Sequence, residues 1–361
     1  MISVKDNLPY VLPSSDNFHS TVNGRKISLL YIRNKNGLCA AITNYGARMV
    51  GLLVPDKNGN FKDIVLGFDN CKSYLSAEEK YFGAVVGRYG GRIAHGKLIL
   101  DGITHQLDIN NNSHSLHGGT GGFHSVVWDM QQVNDATIQL NYASADGEEG
   151  YPGNVKVTVT YSLTDDDALV MHFKVSTDKK TVTNIFNHNF WNLNGEGCGS
   201  VEQHQLMIDA SHFLAVDSSL IPVGMEAVGD TPFDFSAFRE IGERIHEHHE
   251  QLLYGNGYDH NYVLNKGVTE QPQLVASVIG DQSGIRMDIF TTEPGLQLYS
   301  CNFLKGLHQL KCGAKDEFRS AVCLETQHFP DSPSQASFPS VILDAGRTYR
   351  SETIHKFSRT M

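Results

Sequence analysis

Apolar and polar residues alternate every second position along much of this chain, and turn-favouring residues bound each run. Successive side chains of a strand point to opposite faces, so this period fits sheets with one buried face and no helix. Residues 155–162, Val-Lys-Val-Thr-Val-Thr-Tyr-Ser, alternate strictly. Thr164-Asp-Asp-Asp167 follows, and 168–175 alternates again, which predicts a hairpin. The same logic predicts hairpins from 25–32 with 38–43 and from 274–279 with 285–290. Further strands are expected at 126–133, 137–142 and 205–208. Helical periodicity is weak: a turn or two at 73–80, and a polar helix over 238–253. No repeat, low-complexity tract or linker divides the chain, so 1–361 reads as a single domain, all-β, a large antiparallel β-sandwich with few short helices. Sheets of that kind leave a concave face suited to a sugar-sized ligand.

Bulk properties remove several function classes. Lys plus Arg total 29 against 40 Asp plus Glu, a formal charge of −11. No basic patch is present to meet a phosphate backbone, so nucleic acid is not an expected partner. No run approaches the roughly 18 apolar residues of a membrane helix. The first residues lack a basic start followed by an apolar stretch, so a cytoplasmic location is expected. Cys39, Cys71, Cys198, Cys301, Cys312 and Cys323 form no Cys-x-x-Cys pair and read as reduced thiols.

Six segments carry unusual polar chemistry. Ala321-Val-Cys-Leu324 leads straight into Glu325, the pattern of a buried strand with an acid at its mouth. A carboxylate there is either paired for structure or tuned for proton transfer, because an unpartnered one costs several kcal/mol to bury. Arg88 and Arg92 flank glycines, either as ligand-binding forks or as salt-bridged loop residues. His117 precedes Gly118-Gly-Thr-Gly-Gly122; the stretch lacks the Lys-Ser/Thr of a phosphate loop, and an exposed turn His is the plain alternative. In Asn187-His188-Asn-Phe190-Trp191-Asn192, His188 suits an acid working near neutral pH, the neighbouring aromatics suit a sugar's apolar face, and a satisfied core histidine is the rival. Asp259 and Gln297 either point into the same cleft or cap a turn and decorate a strand. The run His246-Glu-His-His-Glu250 reads as a solvated helix face rather than a metal site.

Taken in order, these segments resemble the aldose 1-epimerase (galactose mutarotase) family. The likeness runs from about Ile42-Thr-Asn-Tyr-Gly46 to Ile354-His-Lys-Phe357 and includes Leu116-His117-Gly-Gly, Gly257-Tyr-Asp259-His-Asn261 and Leu324-Glu325-Thr-Gln327. The resemblance implies a galactose mutarotase-like supersandwich, with Glu325 as general base and His188 as general acid. It places Arg92, His117, Asp259 and Gln297 on the sugar-binding positions. It implies a free aldohexose partner, no cofactor and no metal, and a monomer or homodimer. Many members carry Asn just before the arginine, where this chain has Gly91. Rival expectations are a hexose-6-phosphate epimerase using Arg48 and Arg88, a glycoside hydrolase using Asp259 and Glu325, a metal site of His117, His188 and Glu325, and a non-catalytic sugar-binding module.

Overall fold

The computed structural model describes residues 12–360. Three antiparallel sheets carry most of it. The largest has nine strands, and the predicted hairpin of Val155–Leu163 with Ala168–Thr177 lies near its middle, with Val159 opposite Phe173. Val155, Val157, Val159, Tyr161 and Leu163 all turn inward, as the alternation requires. A four-stranded sheet runs through Leu29–Arg33, Cys39–Thr43, Arg48–Pro55 and Phe61–Asp63. A five-stranded sheet orders Pro222–Ala227, Ala210–Val216, Asp259–Leu264, Gly295–Tyr299 and Cys323–Gln327. One apolar cluster draws on all three sheets, for example Ile42, Val157 and Leu298. Among the described residues no helix is long and apolar enough to cross a membrane.

Helix is scarcer than the sequence reading allows. Among the described residues the α-helices are Cys71–Ser76 and Glu250–Gly255. The polar helix expected over 238–253 is present only in its last turn. Arg239–Glu240 pairs instead with Gln205 and Leu206 as an edge strand, and the Gly242 N–H donates to Glu202 O at 2.7 Å. Sheet pairing wins there although Phe238, Ile241 and Ile245 fall at helical spacing: Ile241 and Ile245 are buried in the main core without a helix, and Gly242 disfavours one. The histidine-rich run is therefore not a helix face. His249 sits in extended backbone and its ring accepts from the Gln251 N–H as the helix cap, while the Glu250 carboxylate accepts from Tyr254 OH at 2.8 Å.

A short antiparallel bridge positions the most important pair. Trp191 and Val322 exchange two backbone hydrogen bonds, each 2.9 Å. Stepping three residues along each chain from that bridge brings His188 opposite Glu325. The segment holding His188, Phe186–His188, pairs on its other side with Ala84–Val86.

Two arginines hold loops together from inside. Arg48 is fully buried and donates to Lys80 O, Phe82 O and His124 O at 2.6–2.9 Å. Arg88 donates to Pro152 O, Gly153 O, Ala145 O and Ser144 Oγ. Neither is free for a phosphate, which corrects both the ligand reading of Arg88 and the use of this pair by a phosphosugar. Replacing Arg48 by Met leaves three carbonyls without their donor. Urea unfolding of that variant is expected to show about 2–5 kcal/mol lost stability. A change within about 0.5 kcal/mol, as for an ordinary surface substitution, would contradict this bracing role.

Candidate active site

The five-stranded sheet makes one wall of the site and part of the core with the same three strands. Gln297 stands directly opposite Asn261 on one side and Glu325 on the other. Tyr299 stands opposite Asp259 and Cys323 in the next row. Directly paired residues share a sheet face and alternate residues return to it. Asp259, Asn261, Gln297, Tyr299, Cys323, Glu325 and Gln327 therefore form one face. The opposite face presents Tyr262, Leu296, Leu298 and Leu324 to the main core.

The facing wall comes from short, irregular segments. Arg92 is paired with Leu116, which brings the following His117 beside Gly91. The Gly91 N–H donates to His117 Nδ1 at 3.1 Å, and the His117 N–H donates to Gly91 O at 3.1 Å. Since Nδ1 accepts, the ring's proton is on Nε2, which makes that nitrogen a donor. Between the walls lies a cavity of about 450 Å³. Arg92, His117, His188, Asp259, Gln297 and Glu325 all line it, so the six residues singled out from sequence converge on one space.

Within that space the polar groups are partly paired. His188 Nε2 lies 3.2 Å from Glu325 Oε1. Gln297 Nε2 donates to Asp259 Oδ1 at 2.7 Å, and the Arg92 guanidinium is 3.9 Å from Asp259 Oδ2. Arg92 Nε, Gln297 Oε1 and Gln327 Oε1 are buried with no protein partner, which leaves hydrogen-bonding capacity suited to a polyhydroxylated ligand. The His188 ring lies nearly parallel to Tyr81 on one side and Phe190 on the other, with centroids 5.7 and 4.9 Å away. That clamp fixes the direction of Nε2.

Burial decides the electrostatics. It pushes the Glu325 carboxyl well above the usual range, with Asp259 adding to the rise and Arg92 opposing it. It pushes the His188 imidazole down to about 3 and the His117 imidazole well below its ordinary value. Asp259 rises for the same reason, countered by Arg92 and Gln297. Glu79, on the cavity wall, is raised to about 7, chiefly by desolvation. Burial thus opposes charge on both members of the His188–Glu325 contact.

Sequence reasoning misjudged some neighbours. Phe190 and Trp191 do not stack on a ligand: Phe190 backs His188, and Trp191 packs in the core against His355. Tyr81 and Gln327 line the cavity and were not singled out as site residues. Gln327 was recoverable, being two residues past Glu325 on the same strand face. Tyr81 carried no such signal. Gly91 also lines the cavity, with φ of +85°. A Cβ there would meet Pro330 at 3.6–3.7 Å, ordinary contact, and Asn is among the side chains that best tolerate this backbone. The Gly–Asn difference therefore changes hydrogen bonding rather than shape.

Known proteins share this arrangement of sequence and fold. Residues 28–356 match the family model described as aldose 1-epimerase. Galactose mutarotase from Bos taurus is 41% identical over 318 residues, covering 88% of this chain and 90% of that one. Aldose 1-epimerase from Escherichia coli (strain K12) is 32% identical over 339 residues, covering 93% and 96%. The crystal structure of a GalM/aldose epimerase homologue from C. elegans aligns with a TM-score of 0.84 at 28% identity, over 93% of this chain and all of that one. The chain belongs to the aldose 1-epimerase family.

Proposed function

We propose that the protein interconverts the α and β anomers of free aldohexoses such as galactose and glucose, with Glu325 as base and His188 as acid. The observation that carries this reading is the 3.2 Å contact between His188 Nε2 and Glu325 Oε1 at the cavity wall. Opening a pyranose takes a proton from the C1 hydroxyl and gives one to the ring oxygen. Both oxygens are bonded to C1, so an acid and a base that touch each other can serve both at once. An acid and base on opposite sides of the ring are therefore not required.

The proton inventory suits the reaction. Moving a proton from the Glu325 carboxyl to His188 Nε2 makes a carboxylate and an imidazolium without changing the total charge. Arg92 favours the carboxylate form, and a hydroxyl donating to that carboxylate favours it further. Glu325 then takes the C1 hydroxyl proton while His188 delivers its own to the ring oxygen. The C1–ring-oxygen bond breaks, the aldehyde turns about C1–C2, and closure reverses both transfers. His117 Nε2–H, Arg92, and Asp259 steadied by Gln297 hold the hydroxyls in this reading. The likeness to galactose mutarotase from Bos taurus supports galactose as a substrate. The six cysteines, all free thiols, fit a cytoplasmic location.

Charge disfavours the phosphosugar reading. Arg92 is the one Lys or Arg lining the cavity among the described residues, and Asp259 is beside it. Glucose 6-phosphate is therefore expected not to slow galactose conversion at concentrations where free glucose competes. Equal or stronger competition by the phosphate would transfer the assignment to phosphosugars. Glu325→Gln is expected to lower kcat on fresh α-D-galactose by on the order of 10²–10⁴-fold, with KM little changed. Polarimetry showing kcat near wild type would remove Glu325 as the base.

A further inference from the structure

The reaction above uses His188 and Glu325 but leaves idle the thiol beside them. Cys323 is fully buried and lies two residues before Glu325 on the same strand face. Its Sγ, a carboxylate oxygen of Glu325 and a ring nitrogen of His188 all lie within 4.8 Å of one another. A second thiol, Cys301 Sγ, is 3.9 Å from Cys323 Sγ. The rival metal set weighed from sequence named His117 with His188 and Glu325; the group within reach of one ion contains Cys323 instead.

The chemistry of this set is specific. Tetrahedral Zn²⁺ takes sulfur at about 2.3 Å and nitrogen or oxygen at about 2.0–2.2 Å, which spaces its ligand atoms roughly 3.3–3.8 Å apart. The His188–Glu325 contact of 3.2 Å is already near that spacing, and a small side-chain shift brings Cys323 to it. One thiolate and one carboxylate balance a divalent charge, and neutral imidazole completes three protein ligands. The fourth position falls to the cavity or to Cys301. Arg92 lines the cavity as an opposing charge, offset by Asp259 at 3.9 Å and by Glu79 on the same wall. A thiolate in the set selects Zn²⁺ or Cd²⁺ over the oxygen-seeking Mg²⁺ and Ca²⁺.

We propose that His188, Cys323 and Glu325 form a site for a thiophilic divalent cation that seizes the acid–base pair and so excludes the sugar. The ion is an inhibitor of the reaction rather than its cofactor. Inhibition rests on the epimerase reading; metal binding rests on the geometry alone.

Two readouts test it. The full-length protein is titrated with Co²⁺ and followed for a thiolate-to-cobalt charge-transfer band in the near ultraviolet. Zn²⁺ is then added to the polarimetric assay with and without EDTA. The expected result is a band at one cobalt per chain, and a rate that falls with Zn²⁺, recovers with EDTA and resists Zn²⁺ at higher galactose. Cys323→Ser and Cys323→Ala are expected to keep the rate without metal, lose the band and need at least about tenfold more Zn²⁺, since even outer-sphere partners are worth about 10–100-fold in affinity. Cys312→Ser, at an exposed thiol, is expected to keep band and inhibition. Loss of the band in Cys312→Ser, no band in wild type, or unchanged Zn²⁺ inhibition in both Cys323 variants would overturn the proposal. The wild-type spectrum decides if a variant fails to fold. A wild type that shows the band through Cys323 but does not speed anomer exchange keeps the metal site and refutes the epimerase reading.

Discussion

His188 and Glu325 meet at 3.2 Å, both largely buried at the cavity wall. Burial penalises charge on both. An imidazole and a carboxyl that had to be charged independently would each cost several kcal/mol to bury. In the proposed reaction the pair instead exchanges a proton at constant charge, tipped by a sugar hydroxyl. Much else in the site serves that contact. Tyr81 and Phe190 clamp the ring, Arg48 holds the carbonyls on either side of Tyr81, and the Trp191–Val322 bridge sets the register that makes the two side chains meet.

The five-stranded sheet explains how so polar a cavity sits against an apolar core. Asp259, Gln297 and Glu325 occupy one face, while Leu296, Leu298 and Leu324 occupy the other. A shift of one residue in any of these strands would turn the carboxyls into the core and the leucines into the cavity. Folding to this register and building the site are therefore one event. The same pairing sets Cys323 beside Glu325, so a thiol comes with the strand that presents the acid.

Period-two alternation made the large hairpins legible, because burial on one face leaves a direct trace in the residues. Glu325 was legible as a lone acid ending an apolar run. The junction of Gly91 and His117 was not, since it depends on the pairing of Arg92 with Leu116. The roles of Phe190 and Arg88 were misjudged for a related reason. An aromatic beneath a histidine and an arginine inside a cage of carbonyls look, in one dimension, like ligand-binding groups. The segment 238–249 failed as a helix because an edge-strand pairing with Gln205 and Leu206 supplied its backbone partners.

The central claim is that Glu325 and His188 act as one unit in a single proton exchange. A double-mutant cycle tests it most directly. Initial rates on fresh α-D-galactose would be measured for Glu325→Gln, His188→Gln and the double variant. Groups that act together are grossly non-additive, so the double variant is expected to lose little more than the worse single one. Losses that multiply would show two independent contributions and contradict the shared-proton account.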